Sequence, residues 1–170
     1  MNSDGEQLAW RETYFVLFST ERRPTMAKVE KAISRASSRL RVTDLQSTED
    51  GLFISAVVQA PEDNAAMEIS YEAGESVVEQ STDLAQKLRK QLDGDQLAQL
   101  IRADARLDVM HFERLADSGD QYDLGDEFGD DDDELLDESL DPASLITVVD
   151  ALTQITRGLA FDPASGDLMV

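Results

Sequence analysis

The sequence predicts an α+β fold: an antiparallel or mixed sheet of about six or seven strands with helices mainly on one face, interrupted by a long acidic loop. Three observations carry this expectation. Short apolar, β-branched runs alternate with stretches whose apolar residues recur every three or four positions. A Glu49-Asp50-Gly51 turn separates two of the runs, as in a tight antiparallel hairpin. Residues 117–141 hold thirteen Asp and Glu and no Lys, Arg or His, so they cannot contribute an ordinary core element.

Taken in order, Thr13–Ser19 (TYFVLFS) reads as an interior strand. Pro24 suits the first turn of a helix, and Met26, Val29, Ile33, Ala36 and Leu40 continue it as one apolar stripe. Leu40–Thr48 and Leu52–Ala60 are the hairpin strands about Gly51. In Ala65–Glu72, Met67, Ile69 and Tyr71 alternate with Glu68, Ser70 and Glu72, a strand with one wet face. A long helix begins at Gly74. Val77 or Val78, Ser81, Leu84, Leu88 and Leu92 form its buried side, and Gly94 serves as its C-cap. A shorter helix with Leu97, Leu100 and Ile101 follows. Arg106–Leu115 is then a strand apolar on both faces, and so well inside the sheet.

Beyond the acidic stretch, Asp141-Pro142 reads as an N-cap with proline at the first helical position, and Gly158 stops the helix. Capping and the stripe Leu145, Val148, Leu152 and Ile155 outweigh the strand propensity of Ile146–Val149. Leu159–Phe161 and Asp167–Val170 close the chain as a small hairpin. The whole, 1–170, reads as one domain in which residues 13–60 and 106–170 share a strand–helix–strand–strand order, a pattern that internal duplication would produce. The segment 117–141 is then an enlarged strand-to-helix loop within the second unit.

The net charge of −21 is unevenly placed, because outside 117–141 there are 23 acids against 15 bases. Such a field repels nucleic acid and anionic membranes, so the expectation is no direct nucleic-acid binding and a protein partner with a basic surface. The chain has no cysteine, which excludes disulfides, thiolate metal sites and a cysteine nucleophile, and fits a reducing, cytoplasmic setting. MNSDGEQLAW lacks the basic and apolar regions of a secretory signal, and Tyr14–Phe18, the longest wholly apolar run, is far short of a membrane span; a soluble protein is expected.

The acidic stretch does not fit a calcium loop. Placing Gly125 at the sixth position of a calcium loop puts Asp120, Tyr122 and Leu124 at the first, third and fifth, and Tyr122 and Leu124 cannot ligate as needed. Asp130, Asp131, Asp132 and Asp133 are the remaining weak metal candidates, as in any dense carboxylate run. Tyr122, Leu124, Phe128, Leu135, Leu136 and Leu140 lie among the acids, a composition found in disordered segments that dock on basic, partly apolar surfaces. A solvated loop that aids solubility has the same composition. A counterpart lies in helix 1: residues 22–41 hold seven of the 15 bases, and Lys28, Lys31, Arg35 and Arg39 stand at helical spacing as one basic ridge. An ordinary solvated helix face gives the same pattern. The alternative is that the ridge receives the acidic stretch, within the chain or across a homodimer.

The only histidine, His111, shares a strand face with Glu113, the placement of a metal or acid–base pair and equally of a core histidine with a satisfied ring. No G-x-S-x-G, G-x-G-x-x-G or G-K-[ST] is present, and the zinc-deaminase pattern lacks its cysteines. Trp10 and Phe15 are expected to pack rather than bind. In size, acidity and α+β organisation the chain is loosely similar to small acidic secretion-chaperone-like proteins, a likeness of composition and element types without a motif. The expectation is a non-enzymatic adaptor or chaperone-like interaction module without a cofactor. Two other readings stay open: a divalent-cation-binding protein or metal-dependent enzyme using the loop carboxylates, and a mimic of nucleic-acid charge that occupies a basic protein surface.

Overall fold

Strand β1 (Gln7–Phe18) is longer than its apolar run implies, and it organises the sheet because both of its faces are apolar toward the C-terminal end. In the computed structural model, which describes residues 7–115 and 143–169, Val16 and Phe18 enter one buried cluster while Leu17 enters a second, flanked by Phe15. Seven strands pair throughout in the antiparallel sense, in the order β2-β3-β4-β5-β1-β6-β7. These are β2 (Arg41–Ser47), β3 (Phe53–Ala60), β4 (Ala65–Ala73), β5 (Ala105–Leu115), β6 (Leu159–Asp162) and β7 (Asp167–Leu168). Together with the four α-helices among the described residues they form the expected α+β architecture.

Helix α1 (Met26–Ala36) starts at Thr25, whose hydroxyl accepts from the Lys28 amide; Pro24 lies just before this cap rather than in the first turn. Val29 and Ile33 are buried, whereas Ala36, the next residue of the stripe, is exposed at the helix end. Gly51, at φ 87°, turns the chain between β2 and β3. Helix α2 (Glu75–Lys87) buries Val77 and leaves Val78 39% exposed, which settles the choice between them.

Gly94 is not the C-cap of α2. It opens α3 (Gly94–Arg102), whose start is fixed by Asp93: its carboxylate accepts from the Gln96 amide, and the Gln96 side chain accepts from the Asp93 amide. At the end of α4 (Ala143–Thr156), Arg157 adopts the left-handed conformation, with φ 54°. Gly158 serves a different need, since a Cβ there would lie 2.6 Å from the Leu17 carbonyl oxygen. Asp141, Pro142 and the whole of 117–141 lie outside the described residues.

The helices divide between the faces instead of gathering mainly on one. Val29 and Ile33 of α1 and Leu145, Val148 and Leu152 of α4 pack on Met67, Ile69, Leu107 and Val109. On the opposite face, Val77 and Leu84 of α2 and Leu100 of α3 pack on Leu17 and Phe161. Helices α1 and α4 cover their face broadly; the α2–α3 pair covers only part of the other, around β1, β6 and the adjoining ends of β4 and β5.

Candidate functional site

The part of the second face left open is the feature that the sheet register constructs and no single element announces. Cross-strand partners share a face, so the register reads as rows of neighbouring side chains. One row runs Thr13, Met110, Glu68, Val57, Thr43. The next runs Trp10, Phe112, Ala66, Gln59, Arg41, and Leu8 with Arg114 lie beyond it. Thr13 is two residues from Phe15, which packs under α2 and α3, so these rows continue the face that this helix pair covers elsewhere. Val57, Met110, Phe112, Trp10 and Leu8 belong to neither core cluster, and no described helix lies over them.

Trp10 is 59% and Leu8 48% exposed. The expectation that Trp10 packs is therefore corrected, while that for Phe15 holds: its ring stacks on Phe161 at 6.4 Å between centroids. The physical reason is a register shift between Trp10 and Glu12, which sets Trp10 opposite Phe112 on the face of Thr13, where no described helix lies over it. The Trp10 indole N–H donates to Thr13 Oγ1 at 2.9 Å, fixing the ring while leaving much of its surface to solvent. Arg114 donates to Gln59 across β4. Toward β2 the same face dips into a depression of about 430 Å³ bounded by Asp44, Gln46, Ser55, Val57, Glu68 and Ser70.

The lower boundary of the open region is an ordered polar cluster. Arg106 Nε lies 2.5 Å from Asp108 Oδ1, its Nη1 donates to Gln80 of α2 at 2.6 Å, and its guanidinium sits 4.7 Å from the Phe15 ring centroid. This cluster seals the edge of the α2–α3 layer with paired charge.

Lys28, Lys31 and Arg35 of α1 face solvent; Arg39, expected on the same ridge, is also exposed but lies in the turn beyond the helix, which ends at Ala36. Arg39 reaches Glu62 at 3.3 Å, a pair whose side chains are themselves 70% and 61% exposed. Arg35 stands beside a groove of about 710 Å³ between α1 and α4, with Ala32, Ile146, Thr147 and Asp150 among its walls. The candidate residues Tyr122, Phe128, Leu135, Leu136, Asp130, Asp131, Asp132 and Asp133 lie outside the described residues. Among the described residues no group of three or more His, Asp or Glu is placed to hold a metal ion.

His111 is 6% exposed on the α1–α4 face. Its Nδ1 lies 2.8 Å from a carboxylate oxygen of Glu12 on the adjacent strand, whereas Glu113, its same-face neighbour in sequence, pairs with Arg11 at 3.3 Å. The pairing is thus between strands rather than along β5, as expected of a core histidine with a satisfied ring. Two tyrosines hold their protons above the ordinary tyrosine range. Burial, then the negative charges of Asp162 and Glu12, push the Tyr14 phenol above its ordinary value. Burial also raises Tyr71, against the opposing effect of the Arg23 guanidinium 3.9 Å from its ring centroid.

No protein-family model, curated protein or solved structure matches the chain at significance.

Proposed function

We propose that this protein is a non-enzymatic interaction module, an adaptor or chaperone-like protein, that binds a basic protein partner. The observation that carries the reading is the half-open sheet face with Trp10 and Leu8 exposed beside Phe112, Met110 and Val57. Apolar groups left together at a surface gain free energy only when something covers them, about 25 cal/mol per Å². The acidic segment 117–141 supports the charge of the partner: in sequence it follows β5, one of the strands that builds this face, and it holds thirteen carboxylates. In this reading its Tyr122, Phe128, Leu135 and Leu136 add apolar contacts, and the segment steers a basic surface toward the face.

A cytoplasmic setting fits a chain without cysteine. No helix among the described residues is long and apolar enough to cross a membrane.

The test is affinity capture from the source cell with the full chain and with a 117–141 deletion, each eluted by rising salt. The expected outcome is a basic protein held by the full chain, released early by salt, and held more weakly by the deletion. A partner bound equally by both, without salt dependence, removes the acidic segment from the reading. No partner for either chain overturns it.

A further inference from the structure

The open face has dimensions that select among occupants. Five strands, β2 to β1 through β5, at about 4.8 Å spacing and three side-chain rows give a patch about 20 Å on a side, on the order of 400 Å². A stable interface between globular partners buries about 800 Å² on each side. A second copy of this chain would therefore supply about half the needed area, and it would bring together two molecules of net charge −21. A single α-helix, about 10–12 Å across, spans the same patch with about 14 residues.

An added strand is disfavoured at the nearby edge. Strand β2 is broken by a register shift between Thr43 and Gln46, with Asp44 at φ 50°, which interrupts the row of amides that an incoming strand would need. The face itself is already a helix-binding surface, because α2 and α3 occupy its other part. Its chemistry is mixed: Trp10, Phe112 and Met110 are apolar toward β1 and β5, the exposed carboxylate of Glu68 stands in the row between Met110 and Val57, and exposed Asp44 borders the depression toward β2. Arg41 marks the far corner, and Arg114 is engaged with Gln59.

We propose that the open face between Trp10 and Glu68 receives an amphipathic helix of a partner protein, apolar on one side and basic on its flank, lying alongside the α2–α3 layer. Its apolar side meets Trp10, Phe112, Met110 and Val57, and a Lys or Arg on its flank meets Glu68 and Asp44. This rests on the interaction-module reading and adds where the partner binds and in what form.

Trp10 is the only tryptophan, so its fluorescence reports directly on the site. The full chain is titrated with a Leu/Lys peptide of about 14 residues patterned as an amphipathic helix, and with a scrambled peptide of the same composition. The expected result is a saturable shift of Trp10 emission to shorter wavelength with the patterned peptide only, accompanied by a gain of helical circular dichroism. Val57→Asn, which removes apolar contact without adding charge, should weaken this binding about tenfold. Glu68→Lys, on an exposed side chain that the fold does not need, should weaken it as well and guards against a folding defect in the first variant. Deleting 117–141 should lower affinity at low salt and leave the emission shift intact.

Equal shifts with both peptides, or parental binding by Glu68→Lys and Val57→Asn, overturn the helix proposal. Peptide binding that leaves Trp10 emission unchanged and disappears with 117–141 also overturns it, while the interaction-module reading stands. Emission that shifts with the protein's own concentration assigns the face to a second copy. A shift to longer wavelength on deleting 117–141, without peptide, assigns it to that segment instead.

Discussion

Gly158 offers the sharpest test of the packing between α4 and the β1–β6 pair. It lies where α4 turns into β6, and β6 pairs there with β1 through Leu17 and Leu159. A Cβ at Gly158 would stand 2.6 Å from the Leu17 carbonyl oxygen and 3.0 Å from both Thr156 Oγ1 and a Val16 methyl. The nearest atom is backbone of β1, an interior strand, which cannot rotate away as a side chain could. Thr156 is fully buried and donates to the Leu152 carbonyl at 2.8 Å, so it has little freedom either.

Gly158→Ala should therefore cost about 1–3 kcal/mol, the range for overpacking a filled site. For a chain of this size that is roughly 2–12 °C in Tm. Gly94→Ala is the control: nothing lies within 4 Å of a Cβ at this first position of α3, and alanine should stabilise by about 0.4–1 kcal/mol. Urea unfolding of the two variants beside the parent measures both effects. A Gly158→Ala protein within about 0.5 kcal/mol of the parent, the usual range for innocuous substitutions, would refute the close approach of α4's end to β1.

Two further predictions follow from the polar groups. Tyr14 and Tyr71 have raised folded-state pKa values, so the unfolded chain ionises first as pH rises. Their contribution to stability is fully present below the ordinary tyrosine value of about 10 and is lost as pH climbs through the folded values. Phenolate absorbance should show a late-titrating component that Tyr14→Phe and Tyr71→Phe each diminish; all tyrosines titrating together near pH 10 would contradict the geometry. Arg106→Ala should cost about 1.5–3 kcal/mol, because it strips a half-buried Asp108 and Gln80 of their charged donor. Arg106→Lys should recover less than half of that, as an ammonium cannot present the guanidinium fork while lying over Phe15. Full rescue by lysine in denaturant unfolding would show that charge alone matters there.

Much of the fold was legible because its signals are local. Gly51 after Asp50, the alternation of Met67 and Ile69 with Glu68 and Ser70, and the stripe Val29–Ile33 each arise within a few residues and persist in the structure. Gly94 misled because glycine marks the end of one helix and the start of the next equally well; the Asp93–Gln96 capping box was the sharper signal and lay in plain view. The candidate site was far less legible. Met110 and Phe112 were visible as the second apolar side of β5, but an apolar strand face looks the same whether a helix covers it or not. Trp10 fell outside the recognised strand, since polar Arg11 and Glu12 separate it from the apolar run.

Sequence by itself determined the element types, the antiparallel hairpin, the exposed basic ridge of α1 and the concentration of carboxylate in 117–141. Each depends on residue chemistry or on a period of two or 3.6, which neighbouring residues fix among themselves. Only the tertiary structure decided that the described helices split between two faces, that His111 pairs with Glu12 across strands, and that Trp10, Phe112, Met110, Val57 and Glu68 lie side by side where no described helix covers the sheet. Those five residues come from four strands up to about a hundred positions apart, and what joins them is hydrogen-bond register, a relation between segments that no one segment encodes.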